Sequence, residues 1–287
     1  MDTTNLRGKT AVVTGAGSGI GRATALLLAQ RGANLCICDL NETGLKEVEE
    51  RVQALGSQVV ARRVDVAKRD EMKAFADAVH DQVSAVDILV NNAGVGLGGG
   101  FLDSTLEDWD WIVGINLYGV IYGCHYFLPP MVARRQGGHV VNVSSAAGYV
   151  ATEALAAYST TKFAVFGLSE ALRAELERQH IGVTVVCPGL INTPITQTSR
   201  LRGASMNEEA RKQMIALYQR RNYSPERVAE NILKAIQRNR AVAPISPEAW
   251  LMYGLKRLSP ALVAWINRTV SERGRRQLQR AAQHLGR

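Results

Sequence analysis

The sequence is poor in the features that mark secreted, disulfide-stapled proteins. It has four cysteines in 287 residues, which is too few for a disulfide framework. Cys36 and Cys38 alternate within an apolar run, so on a strand they would face opposite sides and form neither a metal chelate nor a bridge. We therefore predict buried free thiols, no metal site and a reducing, cytoplasmic location.

Long apolar runs are also missing. No stretch of 18 apolar residues occurs, which predicts that no helix spans a membrane. The start of the chain, Met1 to Asn5, lacks the basic and apolar regions of a signal peptide. Hydrophobic residues nevertheless make up 46% of the chain and charged residues 21%, a balance that can bury a sizeable core. We expect a single domain over residues 1–287.

Acidic residues are in deficit, because 26 Asp and Glu face 34 Lys and Arg and the net charge is +8. The excess lies at the C-terminus, where residues 255–287 contain eight Lys or Arg and one Glu, while the rest of the chain is almost balanced. The charge therefore does not indicate a basic groove on the fold, and we expect no nucleic-acid partner.

A glycine-rich loop follows the first predicted strand. Residues Thr10 to Thr14 are apolar, Gly15-Ala16-Gly17-Ser18-Gly19-Ile20-Gly21 come next, and an apolar-periodic helix runs from Ala23 to Gln30. Glycines let a backbone turn tightly and approach a ligand, and the first N–H groups of a helix attract an anion. The glycine spacing departs from the Gly-x-Gly-x-x-Gly pattern, and a plain tight turn is the alternative, but the strand–loop–helix context favours a phosphate site.

The second predicted strand, Asn34 to Cys38, ends in Asp39. An acidic residue about 20 positions beyond a glycine loop is placed to accept the adenosine ribose hydroxyls of NAD and to repel the extra phosphate of NADP. Ser18 and Leu40, where a basic residue could hold that phosphate, are uncharged. The alternative for Asp39 is a helix cap. We predict NAD rather than NADP.

The remaining chain alternates between buried strands and helices. Strands are predicted over 58–64, 87–90, 138–143, 182–187 and 241–243, and helices over 42–55, 68–83, 106–134, 156–179 and 225–237. The helix over 106–134 is expected to end near Pro129-Pro130, and the last begins with Ser224 as N-cap and Pro225 at its first position. This alternation predicts an α/β fold with a doubly wound parallel sheet and helices on both faces.

Ligands bind at the carboxyl edge of such a sheet. The small and polar residues Asn91-Asn92-Ala93-Gly94 end the fourth strand, although an ordinary turn is the alternative, and Ser144-Ser145 end the fifth. Asp65-Val66 close the third strand, where the carboxylate could meet an adenine amino group or cap the next helix. Pro188-Gly189 form a sharp exit from the sixth. Asn116 lies within the long helix, where a surface position is its default.

Tyr158 and Lys162 are four residues apart, which places both side chains on one face of a helix. An ammonium ion one turn away stabilises a phenolate, so we expect Lys162 to lower the pKa of Tyr158 from its usual value of about 10. A tyrosine tuned in this way can exchange a proton with a substrate oxygen near neutral pH. Ser145 could hold the same oxygen by a hydrogen bond. The residues predict proton chemistry at a carbinol or carbonyl.

Taken in order, these residues resemble the short-chain dehydrogenase/reductase family. The resemblance covers about Lys9 to Val242, and it rests on Thr14 to Gly21, Asp65, Asn91 to Gly94, Asn116, Ser145, Tyr158, Lys162 and Pro188-Gly189. It implies an extended Rossmann sheet of about seven strands and a nicotinamide cofactor, here NAD. Relatives of this kind are commonly homodimers or homotetramers through the two long helices around Asn116 and Tyr158.

The resemblance also implies a role for each catalytic residue. Tyr158 would be the acid/base and Ser145 would polarise the substrate oxygen. Lys162 would hold the nicotinamide ribose and tune Tyr158, and Asn116 would position a water in a proton relay. Thr193 would meet the nicotinamide carboxamide, beside Ile191. The full predicted cofactor-binding set is Gly15, Ser18, Gly19, Ile20, Gly21, Asp39, Leu40, Asp65, Val66, Asn92, Ala93, Gly94, Tyr158, Lys162, Pro188, Gly189, Ile191 and Thr193.

A segment over about 194–223 holds the position of the family's substrate lid. Its apolar residues could line a pocket, or they could pack the lid onto the body. These lid residues are Met206, Met214, Ile215, Leu217 and Tyr218, and the further pocket candidates are Leu97, Phe101, Tyr149 and Val150. Together they favour a lipophilic substrate over a sugar.

The C-terminal extension, about 244–287, exceeds what the basic fold needs. Tryptophan and leucine recur at helical spacing with Lys256, Arg257 and Arg268 between them. A basic amphipathic helix of this kind can contact an anionic membrane surface, pack on a partner subunit or cover the substrate site. The sequence leaves these three alternatives open.

The leading prediction is an NAD(H)-dependent oxidoreductase that interconverts a secondary alcohol and its ketone, on a lipophilic substrate such as a steroid, retinoid, terpenoid or fatty acyl derivative. One alternative is a 3-oxoacyl thioester reductase that uses NADPH, against which Asp39 argues. The other is a non-catalytic NAD-sensing scaffold protein, against which the presence of Tyr158 and Lys162 argues.

Overall fold

Short apolar segments at regular intervals along the chain form the strands of a parallel sheet in the computed structural model, which describes residues 1–204 and 206–269. The strands are β1 (Thr10–Thr14), β2 (Asn34–Asp39), β3 (Val59–Arg63), β4 (Ile88–Asn91), β5 (Leu97–Gly98), β6 (Gly138–Val143), β7 (Ile181–Pro188), β8 (Arg200–Leu201) and β9 (Val242–Ile245). Seven of them form one sheet in the order β3-β2-β1-β4-β6-β7-β9, and β5 pairs separately with β8. The predicted seven-stranded, doubly wound α/β fold is confirmed.

Helices connect the strands and cover both faces of the sheet. They are α1 (Gly19–Gln30), α2 (Glu42–Ala54), α3 (Arg69–His80), α4 (Leu106–Val113), α5 (Gly119–Arg134), α6 (Ala156–Leu176), α7 (Ile195–Thr198), α8 (Glu208–Arg221), α9 (Pro225–Gln237) and α10 (Pro247–Leu258). Residues 260–269 are also helical. The predicted Ser224 cap of α9 is confirmed, since its side chain accepts a hydrogen bond from the Arg227 amide at 3.4 Å.

Side chains alternate between the two faces along each strand, and this alternation divides the core in two. On β1, Val13 joins a cluster with residues of α1 and α9 such as Leu28 and Ile232. Its neighbour Val12 joins the opposite cluster, with Phe75 of α3 and Phe127 of α5. Because both faces are buried, the strands are apolar throughout, as expected for a parallel sheet.

The long helical segment over 106–134 is continuous, but it is not uniform. A π-helical turn, Gly114–Tyr118, joins α4 to α5, and α5 continues through Pro129 and Pro130 to Arg134. The prolines cost backbone hydrogen bonds, but burial of Phe127 and Met131 holds the last turns on the sheet. By length and composition alone this segment could also cross a membrane, and here it packs as a core helix of the fold.

The four cysteines are buried and free, as predicted. Burial raises the pKa of Cys36 and of Cys124 to about 12, so these thiols are protonated and inert near neutral pH. The predicted C-terminal extension begins with β9 and α10. Its part from residue 270 onward lies outside the described residues, together with five of its eight basic side chains, Arg273, Arg275, Arg276, Arg280 and Arg287.

Candidate active site

The glycine loop after β1 is held so closely against the end of β4 that side chains would not fit. A Cβ on Gly15, whose φ is 66°, would lie 2.8 Å from the Ala93 Cα, and one on Gly21 would overlap the Gly15 carbonyl. Gly19 also has a positive φ of 52°. These are positions where only glycine avoids strain or overlap. The loop leads into the N-terminus of α1, whose first N–H groups can receive an anion.

Asn92 ties the two strand ends together instead of reaching out of the sheet. Its side-chain amide donates to the Thr14 and Gly15 carbonyls at 2.9 and 3.1 Å, and the Thr14 hydroxyl accepts from the backbone amides of Asn92 and Ala93. Asn92 therefore shapes the glycine loop from behind. The Asn91-Asn92-Ala93-Gly94 stretch is a bonded junction between β1 and β4 and not an ordinary turn.

Asp39 stands beside the glycine loop at the end of β2. Its Oδ2 accepts from the Gly17 amide at 2.7 Å, and its Oδ1 accepts from the Asn41 amide at 2.8 Å. The cap of α2 is Asn41, which accepts from the Gly44 amide, so Asp39 is not the helix cap. Each carboxylate oxygen keeps acceptor capacity for a ribose hydroxyl. Leu40 beside it is 48% exposed.

The sequence analysis overlooked Arg22, the basic residue nearest this loop. Its guanidinium donates to the Gly17 carbonyl at 2.9 and 3.2 Å and forms an ion pair with Glu47 at 3.1 Å. Arginine at the first turn of α1 has no distinctive spacing, so nothing in the sequence singled it out. Through Nε and Nη2, these two partners hold the Arg22 guanidinium against the loop.

Asp65 and Val66 lie at the end of β3. The Asp65 Oδ1 accepts from the Ala67 amide at 3.0 Å, and the residue at the N-cap position of α3 is Lys68. Asp65 therefore closes a local turn and does not cap the helix, which leaves its other oxygen available to an adenine amino group. Val66 is buried against Gly119, where an added Cβ would lie 2.9 Å from the Val66 Cγ2.

Ser145 and Tyr158 meet at the carboxyl end of β6. The Ser145 side chain accepts from the Ala147 amide at 3.1 Å, and it is near enough to Tyr158 to lower the pKa of that phenol. Ser144 is buried and donates to the Lys162 carbonyl at 2.7 Å, so it is committed to the fold. Of the two serines, Ser145 is the one aimed at the predicted acid/base.

Lys162 reaches the same cluster from one turn further along α6. Its Nζ lies 5.7 Å from the centre of the Tyr158 ring and donates to the Val143 carbonyl at 3.0 Å. A Cβ on Gly94 would lie 3.4 Å from this Nζ, so Gly94 leaves room beside the lysine at the end of β4. An ammonium group, a phenol and a hydroxyl therefore converge at one edge of the sheet.

The expected lowering of the Tyr158 pKa is wrong for the protein without ligand. Burial raises the pKa of Tyr158 to about 12, and the hydrogen bond from Ser145 offsets only part of this effect. Burial also lowers the pKa of Lys162 to about 8, because a charged ammonium is costly away from water. The spacing of the two groups could be read from the sequence, but it did not reveal that desolvation would outweigh their attraction.

Asn116 is fully buried, so its default as a surface residue is wrong. Its Oδ1 accepts from the Val95 amide at 2.8 Å, while its Nδ2 donates to the Val95 carbonyl at 2.9 Å and to the Thr161 hydroxyl at 3.3 Å. The side-chain amide thus clamps the segment after β4 to α6. Both of its N–H donors are used, so a water in the predicted relay would have to bind an acceptor oxygen of Asn116.

The segment after β7 approaches the glycine loop from the other side. The Gly189 amide donates to the Ile245 carbonyl at 3.0 Å and extends the pairing of β7 with β9 beyond Pro188. Ile191 is buried in the core, and a Cβ on Gly19 would lie 3.4 Å from the Thr193 Cβ. Thr193 and the glycine loop therefore flank the same space.

The lid, predicted over about 194–223, is latched to the body by a charge cluster that the sequence analysis missed. Asp108 of α4 is 2% exposed, and it receives Arg202 through both carboxylate oxygens at 2.7 and 2.8 Å. Arg200 binds the same carboxylate at 3.3 Å and stacks on the Trp111 ring at 3.7 Å. The hydrogen bond from Arg202 holds the Asp108 pKa below its usual range. The partners are more than ninety residues apart, so no local pattern signalled them.

Several predicted pocket residues have other roles. Tyr149 and Val150 are buried under the C-terminal helices, and the Tyr149 hydroxyl donates to the Ala249 carbonyl at 2.7 Å. Phe101 and Leu217 are 67% and 52% exposed. Leu97 is buried beside Tyr158, and the methyl group of Met206 lies against Gly98. The apolar surroundings of Tyr158 therefore come from the β5 segment and the lid more than from residues 149–150.

An apolar groove lies away from this cluster, between α5 and α6. It is lined by Ile121, Cys124, His125, Leu128, Pro129, Leu168 and Leu172. Within residues 1–204 and 206–269, no group of three or more His, Cys, Asp or Glu side chains converges in a way that could hold a metal ion.

Comparison with known proteins places these features among short-chain dehydrogenases. The family model described as short chain dehydrogenase matches residues 9–203. The probable oxidoreductase EphD of Mycobacterium tuberculosis is 40% identical over 252 residues, 86% of this chain, and the chain spans only 43% of that relative's length. The 3-oxoacyl-[acyl-carrier-protein] reductase FabG of Thermotoga maritima is 33% identical over 229 residues, 79% of this chain and 90% of FabG.

A solved structure with the same architecture contains a dinucleotide. The short chain dehydrogenase/reductase from Burkholderia phymatum in complex with NAD superimposes with a TM-score of 0.82 at 30% identity, over 91% of this chain and 96% of that chain. The likeness therefore extends over nearly the whole of both chains.

Proposed function

The chain belongs to the short-chain dehydrogenase/reductase family of oxidoreductases, and on that premise we propose that it interconverts a secondary alcohol and its ketone with NAD(H) as the cofactor. The observation that carries the proposal is the convergence of Ser145, Tyr158 and Lys162, with the Lys162 Nζ 5.7 Å from the centre of the Tyr158 ring. The three groups stand at the sheet edge beside a glycine loop in which Gly15 and Gly21 leave no room for a Cβ.

The residues present fit a dinucleotide. Gly15 and Gly21 keep a narrow cradle clear, the N-terminus of α1 can receive the phosphates, and Asp39 can accept ribose hydroxyls. Thr193 and Ile191 stand across from the loop, where the nicotinamide would lie. The Burkholderia relative was solved in complex with NAD, which supports NAD as the cofactor. We propose NAD rather than NADP because Asp39 would repel a ribose phosphate, and the ion pair with Glu47 engages Arg22.

When bound, NAD⁺ supplies the hydride acceptor, and the chain's own residues manage the proton. In alcohol oxidation, Tyr158 as phenolate takes the hydroxyl proton of the substrate. The Ser145 hydroxyl donates to the same oxygen and holds it as it becomes a carbonyl. The Lys162 ammonium and the positive charge of the oxidised nicotinamide both favour the phenolate, which offsets the burial that raises the Tyr158 pKa.

We propose a lipophilic substrate. Leu97 packs beside Tyr158, and Met206 reaches across Gly98 from the lid, so the surroundings of the reacting oxygen are apolar. Methionine adapts to irregular ligands, which suits a steroid, retinoid, terpenoid or fatty acyl derivative. The likeness to FabG keeps a 3-oxoacyl thioester reductase as the second candidate, and NADPH preference would distinguish it.

We propose that two copies of the chain associate through the groove between α5 and α6. Its lining residues are apolar, with Leu128, Leu168 and Leu172 among them. Helices packed in antiparallel pairs across such a surface would bury it from water. Light scattering of the protein at micromolar concentration would test this association.

The test of the function is a panel of hydrophobic secondary alcohols followed by NADH absorbance, with NADP⁺ run in parallel. We expect reduction of NAD⁺ by at least one alcohol and much slower reduction of NADP⁺. Faster turnover with NADPH and an acyl-carrier ketone would favour the second candidate. Failure of the protein to bind NADH or NADPH in titration would contradict both.

A further inference from the structure

A single carboxylate of helix α10, in the C-terminal extension, contacts two separate parts of the site. Glu248 lies in its first turn, and its Oε1 accepts from the Leu190 amide at 3.2 Å. Its Oε2 lies 2.7 Å from Nη2 of Arg221. Leu190 directly follows Pro188-Gly189, and Arg221 is the last residue of the lid helix α8. One side chain therefore joins the segment after β7 to the lid.

The backbone around this carboxylate is held at close range. A Cβ on Gly189 would lie 2.8 Å from the Glu248 Oε1 and 2.5 Å from the Ser246 Oγ. Ser246, which is 4% exposed, adopts a φ of 92°, a conformation that costs a residue with a side chain free energy. The start of α10 is thus fixed against the segment after β7, and this contact specifies where Glu248 stands.

The segment that Glu248 contacts runs directly to the glycine loop. Thr193 lies against Gly19 at its far end. The Asn192 amide donates to the Tyr223 carbonyl at 3.0 Å, which gives the segment a second contact with the end of the lid. A cofactor that orders residues 188–193 would therefore also restrain the lid, because this segment is hydrogen-bonded to Glu248 and to the Tyr223 carbonyl.

The lid helix carries a group that acts electrostatically on the acid/base. Tyr218 is one turn before Arg221 on α8, and its phenol adds to the effect of burial in raising the Tyr158 pKa. A shift of α8 therefore changes the electrostatic effect of Tyr218 on Tyr158. The Glu248–Arg221 pair itself is partly exposed, at 31% and 37% of the two side chains. Because such a partly exposed ion pair contributes little to the free energy of unfolding, its effect is on the position of α8.

We propose that Glu248 is a positioning residue that couples cofactor binding to closure of the lid. Binding of the dinucleotide fixes residues 188–193, and Glu248 transmits this constraint to α8 through Arg221. By linkage, closure of the lid then tightens cofactor binding by the same factor. The inference rests on the proposed function, because it takes the cofactor to be NAD(H).

Hydrogen exchange of the full chain with and without NADH tests this coupling without a substrate. Arg221→Gln removes the lid contact and leaves the Glu248–Leu190 hydrogen bond, whereas Glu248→Gln removes the charge and keeps an acceptor for Leu190. The double variant completes the cycle. Asp77→Asn is the matched control, since it removes the exposed Lys73–Asp77 pair of the same 2.7 Å length on α3.

In the wild type and in the control, we expect NADH to slow exchange in peptides from residues 15–21 and from residues 208–221. The slowing in 208–221 should be at least about fivefold, the lower end of typical coupling. In both single variants and in the double variant the slowing in 208–221 should fall to less than about twofold. The slowing in 15–21 should persist in all of them.

The two proposals fail in different ways. If NADH slows exchange in residues 15–21 but not in 208–221 of the wild type, the coupling is absent and the proposed function stands. If Arg221→Gln and Glu248→Gln keep the slowing in 208–221, another contact carries it and the role of Glu248 is wrong. If NADH changes exchange nowhere in the wild type, the proposed cofactor and the coupling are both overturned.

Discussion

The backbone amide of Gly17 donates to Oδ2 of Asp39 across 2.7 Å, so the acidic residue at the end of β2 supports the glycine loop directly. The same carboxylate also holds the Asn41 amide through Oδ1. One side chain therefore shapes the dinucleotide cradle and presents charge to the ribose. This double role means that cofactor affinity and cofactor choice should change together when Asp39 changes.

Asp39→Asn is expected to weaken NAD⁺ binding about tenfold and to narrow the preference for NAD⁺ over NADP⁺. The amide has one acceptor oxygen where the carboxylate has two, and a hydrogen bond to a charged group is worth about 1.5–3 kcal/mol. Calorimetric titration with both cofactors measures the two effects. A wild type that binds NADP⁺ more tightly than NAD⁺ would show that Asp39 does not select the cofactor.

Tyr158→Phe is expected to lower kcat at least about 100-fold, the smaller end of what general acid–base catalysis contributes. The NADH dissociation constant should stay within about twofold, because the phenol oxygen is at the reacting end of the site. Tyr118→Phe is the matched control, since Tyr118 is 47% exposed and stacks on Tyr122. Near-normal turnover by Tyr158→Phe would remove the proposed acid/base.

Burial of Lys162 should make stability depend on pH. The Lys162 pKa falls from 10.5 to about 8 on folding, so between these values the unfolded side chain binds more protons, and the contribution of Lys162 to the free energy of unfolding rises with pH. Buried thiols such as Cys36 and Cys124 act in the opposite direction in both proteins, so the prediction concerns the difference between the wild type and Lys162→Met. Between pH 8 and 10 the rise should be on the order of 2 kcal/mol. Lys162→Met should lack it. Urea unfolding of both proteins at several pH values is the measurement, and parallel pH profiles would contradict the expected burial of charge.

Much of the architecture was predictable because the physics that sets it is local. The apolar runs of β1 and β6 mark buried parallel strands, and Ser224-Pro225 marks the start of α9, so their boundaries were predicted correctly. The glycine loop was also identifiable, because strand, glycines and helix are adjacent in sequence. Such elements can be predicted because the residues that define them are close together in the sequence.

The features that were missed depend on partners far apart in the chain. Asn116 is polar, so its place in a helix did not mark it as buried, and its clamp on Val95 arises only when α4 and α5 meet through a π-helical turn. The pKa of Tyr158 was predicted to fall because its spacing from Lys162 reveals the nearby ammonium group. The spacing does not reveal that burial removes water from the phenol, which raises its pKa. The latch from Asp108 to Arg202 joins residues that only the folded chain brings together.

Asp108→Asn is expected to loosen the lid. The amide cannot match the two-point contact of Arg202, and its loss should lower the free energy of unfolding by about 1–2 kcal/mol, less than for a fully buried pair because Arg202 is 38% exposed. Tryptic cleavage within residues 200–212 should accelerate, and KM for an active alcohol should rise more than kcat falls. Asp77→Asn should change none of these. Unchanged cleavage would show that the Asp108 ion pairs do not hold the lid.

The C-terminal helices have one face that is buried and another that is exposed to solvent. Ala249 and Val263 are buried on the body, while Trp250, Leu251, Leu258, Leu262 and Trp265 are 40–86% exposed. Lys256, Arg257 and Arg268 lie among them. One face thus packs on the body of the protein itself. The other face combines tryptophan side chains with positive charge, and this combination suits an anionic lipid surface.

We therefore expect the protein to bind vesicles that contain phosphatidylserine at low salt and to release them as salt screens the attraction. Trp265→Ala should weaken binding on the order of tenfold, because burial of a large apolar side chain is worth about 1.5–3 kcal/mol. Leu55→Ala, at a site 45% exposed beyond α2, is the matched control. Vesicle sedimentation measures both. Absence of binding at low salt would exclude the lipid surface, and a lower molecular mass of Trp265→Ala in light scattering would instead assign the exposed face to contact between copies of the chain.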